Sequence, residues 1–207
     1  PVVVMDQCMR AMVDLVKKKG GSFLQRKITT RVDGDMGKGI DVLRDADVIV
    51  NCAGLGNARE SEGLEDDGNM TPIRGQIIYV KNAGVNEACT VTAGDETAYV
   101  IPRGDVTVFG GTADEGEWDT EPSAATADSI IDKCKRLLPH SMSSTITDQN
   151  ILGHWAGLRP FRKGTINMDR RILDDGKVLI NNYGHGGAGI SLCWGCADEV
   201  VKLASNL

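Results

Sequence analysis

Apolar positions Met5, Cys8, Met9, Met12, Val13, Leu15 and Val16 recur at helical spacing, which predicts a helix over residues 5–19. Lys17, Lys18 and Lys19 suit the negative pole at its end, and Gly20-Gly21 stops it. Ser22 to Ile28 reads as a short strand. The polar, glycine-bearing stretch 29–44 reads as loop and weak strand. Asp47-Val-Ile-Val-Asn51 predicts a buried strand, with Cys52-Ala53-Gly54 turning out of its carboxyl end.

Residues 56–72 are polar and acidic and predict a surface loop, followed by a strand over Ile73 to Lys81. Residues 82–96 read as a mobile loop. Ala98 to Pro102 and Val106 to Gly110 flank Arg103-Gly104-Asp105, the pattern of a hairpin. Residues 114–121 form an acidic loop. Ser123 to Leu138 is an amphipathic helix ended by Pro139. Strands are expected at Ile151 to Phe161, Ile166 to Met168 and Val178 to Asn182, and a last helix from about Gly189 to Leu203. No internal repeat or low-complexity segment interrupts this order. The middle is rich in antiparallel-type strands, and the two ends carry helix and parallel-strand material. The pattern is that of an α/β domain interrupted by an antiparallel-sheet domain.

Composition narrows the function classes. Of 207 residues, 25 are glycine, about 12% against a usual ~7%, so tight turns and close backbone approaches are expected. The net charge is −6, and the only basic run is Lys17–Lys19. A nucleic-acid binder needs a basic stripe, which this chain lacks. The longest apolar runs are a few residues, far short of the ~20 that span a bilayer, and no signal peptide is visible. Six cysteines in so long a chain do not read as a disulfide scaffold and favour a reducing compartment.

Candidate chemistry gathers late in the chain. Gly184-His185-Gly186-Gly187-Ala188-Gly189 fits G-x-G-x-x-G, follows a strand and opens a helix. Backbone N–H groups there can crowd an anionic ligand at a positive helix end. Only 18 residues follow Gly189, so a second strand of a dinucleotide unit does not fit. A plain glycine-rich turn stays open beside the ligand-facing reading. Cys193-Trp-Gly-Cys196 matches C-x-x-C but lies inside the last helix, which favours structural cysteines over a redox pair. His140, His154 and His185 have no metal-ligand spacing, so no metal is expected. Arg159, on a strand before Pro160, is a rigid fork suited to a carboxylate, and the Tyr99 hydroxyl could share that carboxylate. From the residues alone, each reads as a surface or interface residue sooner than as a ligand contact.

Together, DVIVNCAG (47–54), IRGQ (73–76), AYVIP (98–102), GG (110–111), GEW (116–118), GLRP (157–160) and NYGHGGAGISLCWG (182–195) resemble the D-amino-acid oxidase and D-aspartate oxidase family of flavoproteins. The motifs keep the family's order over nearly the whole chain. The resemblance implies an α/β plus α+β architecture: part of an FAD-binding Rossmann-like domain (1–72 and 166–207) with an inserted antiparallel-sheet substrate domain (73–165). Family members open with a βαβ unit that holds the FAD pyrophosphate. Nothing in residues 1–50 resembles it, and Pro1 matches a position well inside the family's sequence. The chain is therefore expected to be a downstream portion, with the upstream segment of the same protein as a partner.

By the same resemblance, Arg159 pairs with the substrate α-carboxylate and Tyr99 donates its hydroxyl to it. The carbonyl region of Gly187 takes the amino group. Gly186, Gly187, Gly189, Ile190 and Ser191 match the turn and helix start that face the flavin ring. Ile28, Ala53 and Gly54 match positions beside the adenosine end. The implied reaction is FAD-dependent oxidative deamination of D-amino acids, with oxygen consumed and 2-oxo acid, ammonia and hydrogen peroxide released. The sequence also departs from the family. Asp95 stands where many members have a second tyrosine, and Ala188 replaces a tyrosine of some members. D-aspartate oxidases place an arginine in the 82–98 loop, which here holds no Arg or Lys. Neutral D-amino acids are therefore favoured over D-aspartate. The rivals are a non-catalytic fragment and a thiol-redox protein using Cys193 and Cys196. A homodimer is an allowed assembly. Ser205-Asn206-Leu207 is a variant of the Ser-Lys-Leu peroxisomal address; without it, a cytoplasmic location is expected.

Overall fold

The computed structural model describes residues 5–26, 41–58, 64–94 and 96–205. These fall into two compact units. The first is drawn from Pro1–Gln25, Arg74–Asp114 and Asp119–Gly157, and the second from Arg26–Ile73, Glu115–Trp118 and Leu158–Leu207.

In the first unit, helix α1 (Met5–Lys18) ends as expected: Gly20 takes φ +89 and the Gly21 N–H reaches the Val16 carbonyl. None of its described side chains is buried, and Met9, Leu15 and Val16 are exposed. The expected strand from Ser22 is instead irregular backbone through Arg26, with Phe23 and Leu24 exposed. Ile28 and the rest of that stretch lie outside the described residues.

The expected loop at 82–96 is not continuous. It contains strand β3 (Cys89–Ala93), which pairs antiparallel with β4 (Glu96–Arg103). The Cys-Thr-Val-Thr-Ala segment is mostly exposed, so it lacks the apolar alternation that marks a half-buried strand. β4 and β5 (Val106–Gly110) form the expected hairpin around Gly104-Asp105. β5 pairs antiparallel with β2 (Met70–Lys81), which starts three residues earlier than expected. The sheet order is β3-β4-β5-β2-β6, with β6 at Asp114–Glu115 and β7 (Ile151–Arg162) also pairing β2.

Helix α3 (Ala124–Arg136) covers β4 and β5. Helix α2 (Asp41–Arg44) belongs to the other unit. The Ser123 side chain caps α3 by accepting from the Thr126 N–H, and the chain leaves it just before Pro139. Its buried Ala127, Ile130 and Cys134 pack with Ile78, Val80, Val100 and Phe109. Fully burying each large apolar side chain contributes about 1.5–3 kcal/mol, so this core holds the hairpin rigid. A short helix α4 (His140–Ser143), not read from the sequence, follows.

In the second unit, β1 (Val48–Asn51) pairs parallel with β9 (Val178–Asn181), and β8 (Arg170–Ile172) pairs antiparallel with β9. The short helix α2 (Asp41–Arg44) occupies ground expected to be loop and weak strand. The strand expected at Ile166 to Met168 is only an isolated bridge between Asn167 and Tyr183, and the paired strand comes two residues later. The stretch 56–72 is no simple surface loop: Asn57, Leu64 and Asp67 are buried. Leu64 joins Ile49 and Leu179 in a small core. Helix α5 (Gly189–Ser205) closes the chain, with Asn206 and Leu207 outside the described residues. Among the described residues no helix is long and apolar enough to cross a membrane.

Candidate active site

The parallel register of β1 and β9 sets Asn51 opposite Asn181, so both strands present their carboxyl ends on one side. Ligands of open α/β sheets bind at such strand ends. Out of β1 come Ala53 and Gly54, the latter opening a 3-10 turn over Gly54–Ala58 and lying beside Pro160. Out of β9 comes the glycine-rich turn, with a 3-10 turn over Gly186–Ala188 leading into α5. Two segments read from the sequence as cofactor-binding, 53–54 beside the adenosine end and 186–191 facing the flavin ring, thus leave adjacent strands at the same end. Gly189 stands at the start of a 17-residue helix, where unpaired N–H groups make a positive pole.

Buried amides fix this end of the sheet. The Asn51 amide donates to Asn57 Oδ1 at 3.2 Å and to Asn181 Oδ1 at 3.0 Å. Asn51 Oδ1 accepts from the Ala53 N–H at 3.1 Å, and the Asn51 carbonyl accepts from the Asn182 N–H. One side chain therefore ties both exits to one another. Such buried amides are stabilising only when their hydrogen bonds are made, as these are. The Asn182 side chain hydrogen-bonds the Cys52 thiol, while its buried Oδ1 has no partner among the described residues.

A charged cluster backs the turn. Asp67 accepts from Arg162 Nε at 2.6 Å, from the Tyr183 hydroxyl at 3.1 Å, and from Asn69. Burial pushes the Asp67 carboxyl up, but these donors and the Arg162 charge outweigh it and hold it below the usual carboxylate range. The same hydrogen bond raises Arg162, against burial. Burial, with the negative Asp67 and Glu65 nearby, pushes the Tyr183 phenol far up, so it remains a neutral donor. Asn167 donates to the same oxygen at 2.7 Å.

Of the residues read from the sequence, Arg159 and Gly187 are brought together: a side-chain carbon of Arg159 lies 3.8 Å from where a Cβ on Gly187 would stand. Ser191 and Ile190 are exposed on the first turn of α5. Tyr99 is half-buried on β4 in the first unit, directly opposite Gly110. Cys193 and Cys196 are free thiols on α5; Cys196 is buried and its Sγ lies 3.4 Å from His185 Nε2. Among the described residues no group of three or more His, Cys, Asp or Glu is arranged to hold a metal. The sequence reading missed the Asn51–Asn57–Asn181 and Asp67–Arg162–Tyr183 clusters. The available signal was a polar residue closing each of two otherwise apolar strands, Asn51 and Asn181.

Comparison with known proteins gives a consistent picture. Residues 2–203 match the family of FAD dependent oxidoreductases. The chain is 36% identical over 207 residues to a D-amino-acid oxidase of Streptomyces coelicolor, covering 99% of this chain and 58% of that protein. It is 35% identical to a D-amino-acid oxidase of Dictyostelium discoideum (97% and 53%) and 32% identical to a human D-aspartate oxidase (77% and 44%). The chain thus spans about half the length of these relatives. In fold it is similar to the glycerol-3-phosphate dehydrogenase of Bacillus halodurans complexed with FAD, with TM-score 0.62 at 20% identity, covering 92% of this chain and 40% of that one. An iminodiacetate oxidase from Chelativorans gives TM-score 0.59 at 18% identity, covering 86% and 48%. FAD is the cofactor of this family, and the chain belongs to the FAD-dependent oxidoreductases that include the D-amino-acid oxidases.

Proposed function

We propose that this chain is the downstream part of an FAD-dependent oxidase of neutral D-amino acids. Residues 1–72 and 166–207 contribute to the flavin side, and 73–165 to the substrate side. The observation that carries the reading is the common exit of Ala53-Gly54 and of the glycine-rich turn from adjacent parallel strands, with Arg159 against Gly187.

The residues present fit a flavin nucleotide. The buried Asn182 Oδ1 at the carboxyl end of β9, without a partner among the described residues, is an acceptor that a ribose hydroxyl or adenine amine would satisfy. Gly186, Gly187 and Gly189 present backbone without side chains at the positive end of α5. When bound, FAD supplies the two-electron acceptor, and oxygen then takes the electrons as hydrogen peroxide. Ala53 and Gly54 would hold the adenosine end of FAD, and Gly186 to Ser191 the ring end, where the helix pole would stabilise negative charge.

Arg159 clamps the substrate carboxylate, which orients Cα and its hydrogen, and Tyr99 is the further hydroxyl donor that the family resemblance implies. The Gly187 carbonyl receives the amine. No side chain is needed as a base in this scheme; the residues act by positioning. Loss of the α-hydrogen and an amine proton leaves an imino acid, which water hydrolyses to a 2-oxo acid and ammonia. The absence of Arg and Lys from residues 82–98 supports neutral over acidic substrates.

Peroxide release by the FAD-loaded protein, with D-alanine and D-aspartate compared, is the direct assay. D-alanine is expected to be the better substrate. Arg159→Ala should lower kcat/KM on the order of a hundredfold or more, the cost of leaving a carboxylate unpaired. Normal turnover by that variant would remove Arg159 from the site. Preference for D-aspartate would make the chain a D-aspartate oxidase instead.

A further inference from the structure

Gly110 sits in the middle of a sheet, paired with Tyr99 of β4 on one side and Ile77 of β2 on the other. Its φ is not in the left-handed region, so its backbone does not call for glycine. A glycine inside a strand weakens it, and such a position needs another reason. The reason lies above it. A Cβ built on Gly110 would stand 2.3 Å from Tyr99 Cζ and 2.4 Å from its hydroxyl oxygen. The end of the phenol ring, not its stem, rests on the glycine.

The opposite face is equally specific. Ala98 and Val100 point to α3, so Tyr99 between them points away from it. From the α3 side, the Cys134 thiol lies 3.3 Å from the Tyr99 carbonyl and 3.7 Å from the Gly110 carbonyl. The same residue pair is thus held from below by a thiol and carries the phenol above. The adjacent Gly111 has a different role. Its φ is +136°, and a Cβ there would meet the Thr97 carbonyl oxygen at 1.9 Å, so it is needed by the backbone itself.

We propose that Gly110 is a positioning residue that fixes the Tyr99 hydroxyl: any side chain at 110 evicts the phenol end from its place. This deepens the proposed function, since it rests on Tyr99 meeting the substrate carboxylate for its catalytic consequence. The obstructed atoms belong to the far end of a side chain that can rotate. Gly110→Ala is therefore expected to keep the fold while moving Tyr99.

The test uses the full chain labelled with ring-13C tyrosine. There are three tyrosines, and Tyr99→Phe assigns the resonance of Tyr99. Gly110→Ala should shift the Tyr99 ring resonance and leave that of Tyr183, in the other unit, unmoved. An unmoved Tyr99 resonance in the folded variant overturns the proposal. If Gly110→Ala alone fails to fold, the double variant Tyr99→Ala, Gly110→Ala is expected to fold, because the obstructing ring is gone. Failure of both also overturns it. Titration of the FAD-loaded protein with D-alanine then separates the seat from the substrate reading. Gly110→Ala should weaken D-alanine binding about tenfold, as Tyr99→Phe does, and add nothing in the Tyr99→Phe background. A shifted resonance with D-alanine binding untouched by Tyr99→Phe keeps the seat and refutes the role given to Tyr99.

Discussion

Asp67→Asn is the perturbation whose size follows most closely from the geometry. Both carboxylate oxygens accept: Oδ1 from the backbone and side chain of Asn69, Oδ2 from Arg162 Nε and the Tyr183 hydroxyl. An asparagine keeps one oxygen. Its amide nitrogen must then face two donors, whichever way the side chain is turned. The charged hydrogen bond to Arg162 is worth about 1.5–3 kcal/mol and the neutral one about 1 kcal/mol. The Arg162 side chain is 20% exposed, so water recovers part of the loss. The expected destabilisation is about 2–4 kcal/mol, a large share of a usual ~5–15 kcal/mol. Adding Arg162→Met should cost less than the sum, because the stranded cation is gone.

The pH dependence gives the sharper check. The folded-state Asp67 is depressed, so the unfolded chain takes up its proton first as pH falls. Its contribution is fully present above the unfolded pKa of about 3.9 and is lost as pH falls through the folded value. Urea unfolding, with hydrogen exchange of the 178–189 peptides, should show the gap between native chain and variant steady above about pH 5 and closing below about pH 4. A gap under about 1 kcal/mol at neutral pH, or one equal at pH 3 and pH 7, would refute the reasoning.

Other expectations follow from single sites. Gly111→Ala drives a Cβ into a carbonyl oxygen and should lower stability by more than about 3 kcal/mol, or abolish folding, in thermal melts. Arg74→Met strands the Asp119 and Glu121 carbonyls, which Arg74 holds at 2.8 and 2.7 Å, and should cost about 2–4 kcal/mol. Hydrogen exchange would rise first near Ser123, which the neighbouring Gln76 ties down on both sides. Burial raises the Cys134 thiol to about 11, so only about one in ten thousand is thiolate at pH 7. Alkylation of the native protein at that pH should spare Cys134 and modify it only after urea is added.

The elements that were legible in the sequence are those whose pattern is local. The Val48–Asn51 strand is an apolar run closed by a glycine turn, and α3 carries its own cap, periodicity and proline stop. The 98–110 hairpin announces itself through Gly104-Asp105. What escaped depends on partners far along the chain. β3 is a strand because β4 lies beside it, and its own residues are mostly exposed. Asn51 meets Asn181 across 130 positions, and Asp67 meets Arg162 across 95, distances that no local periodicity encodes. Ser22 to Arg26 failed in the other direction, since apolar Phe23 and Leu24 are exposed on irregular backbone. A side-chain carbon of Arg159 lies 3.8 Å from where a Cβ on Gly187 would stand. Ile28 falls outside the described residues.

One spectrum tests the proposal that this chain serves a flavin site that oxidises a D-amino acid. Visible absorption of the purified protein, with FAD added if needed, would be recorded before and after anaerobic D-alanine. The account predicts protein-bound flavin bands that bleach with D-alanine and return when oxygen is admitted. A protein that binds no flavin even with FAD supplied, or bands that D-alanine and other neutral D-amino acids leave unchanged, would contradict it.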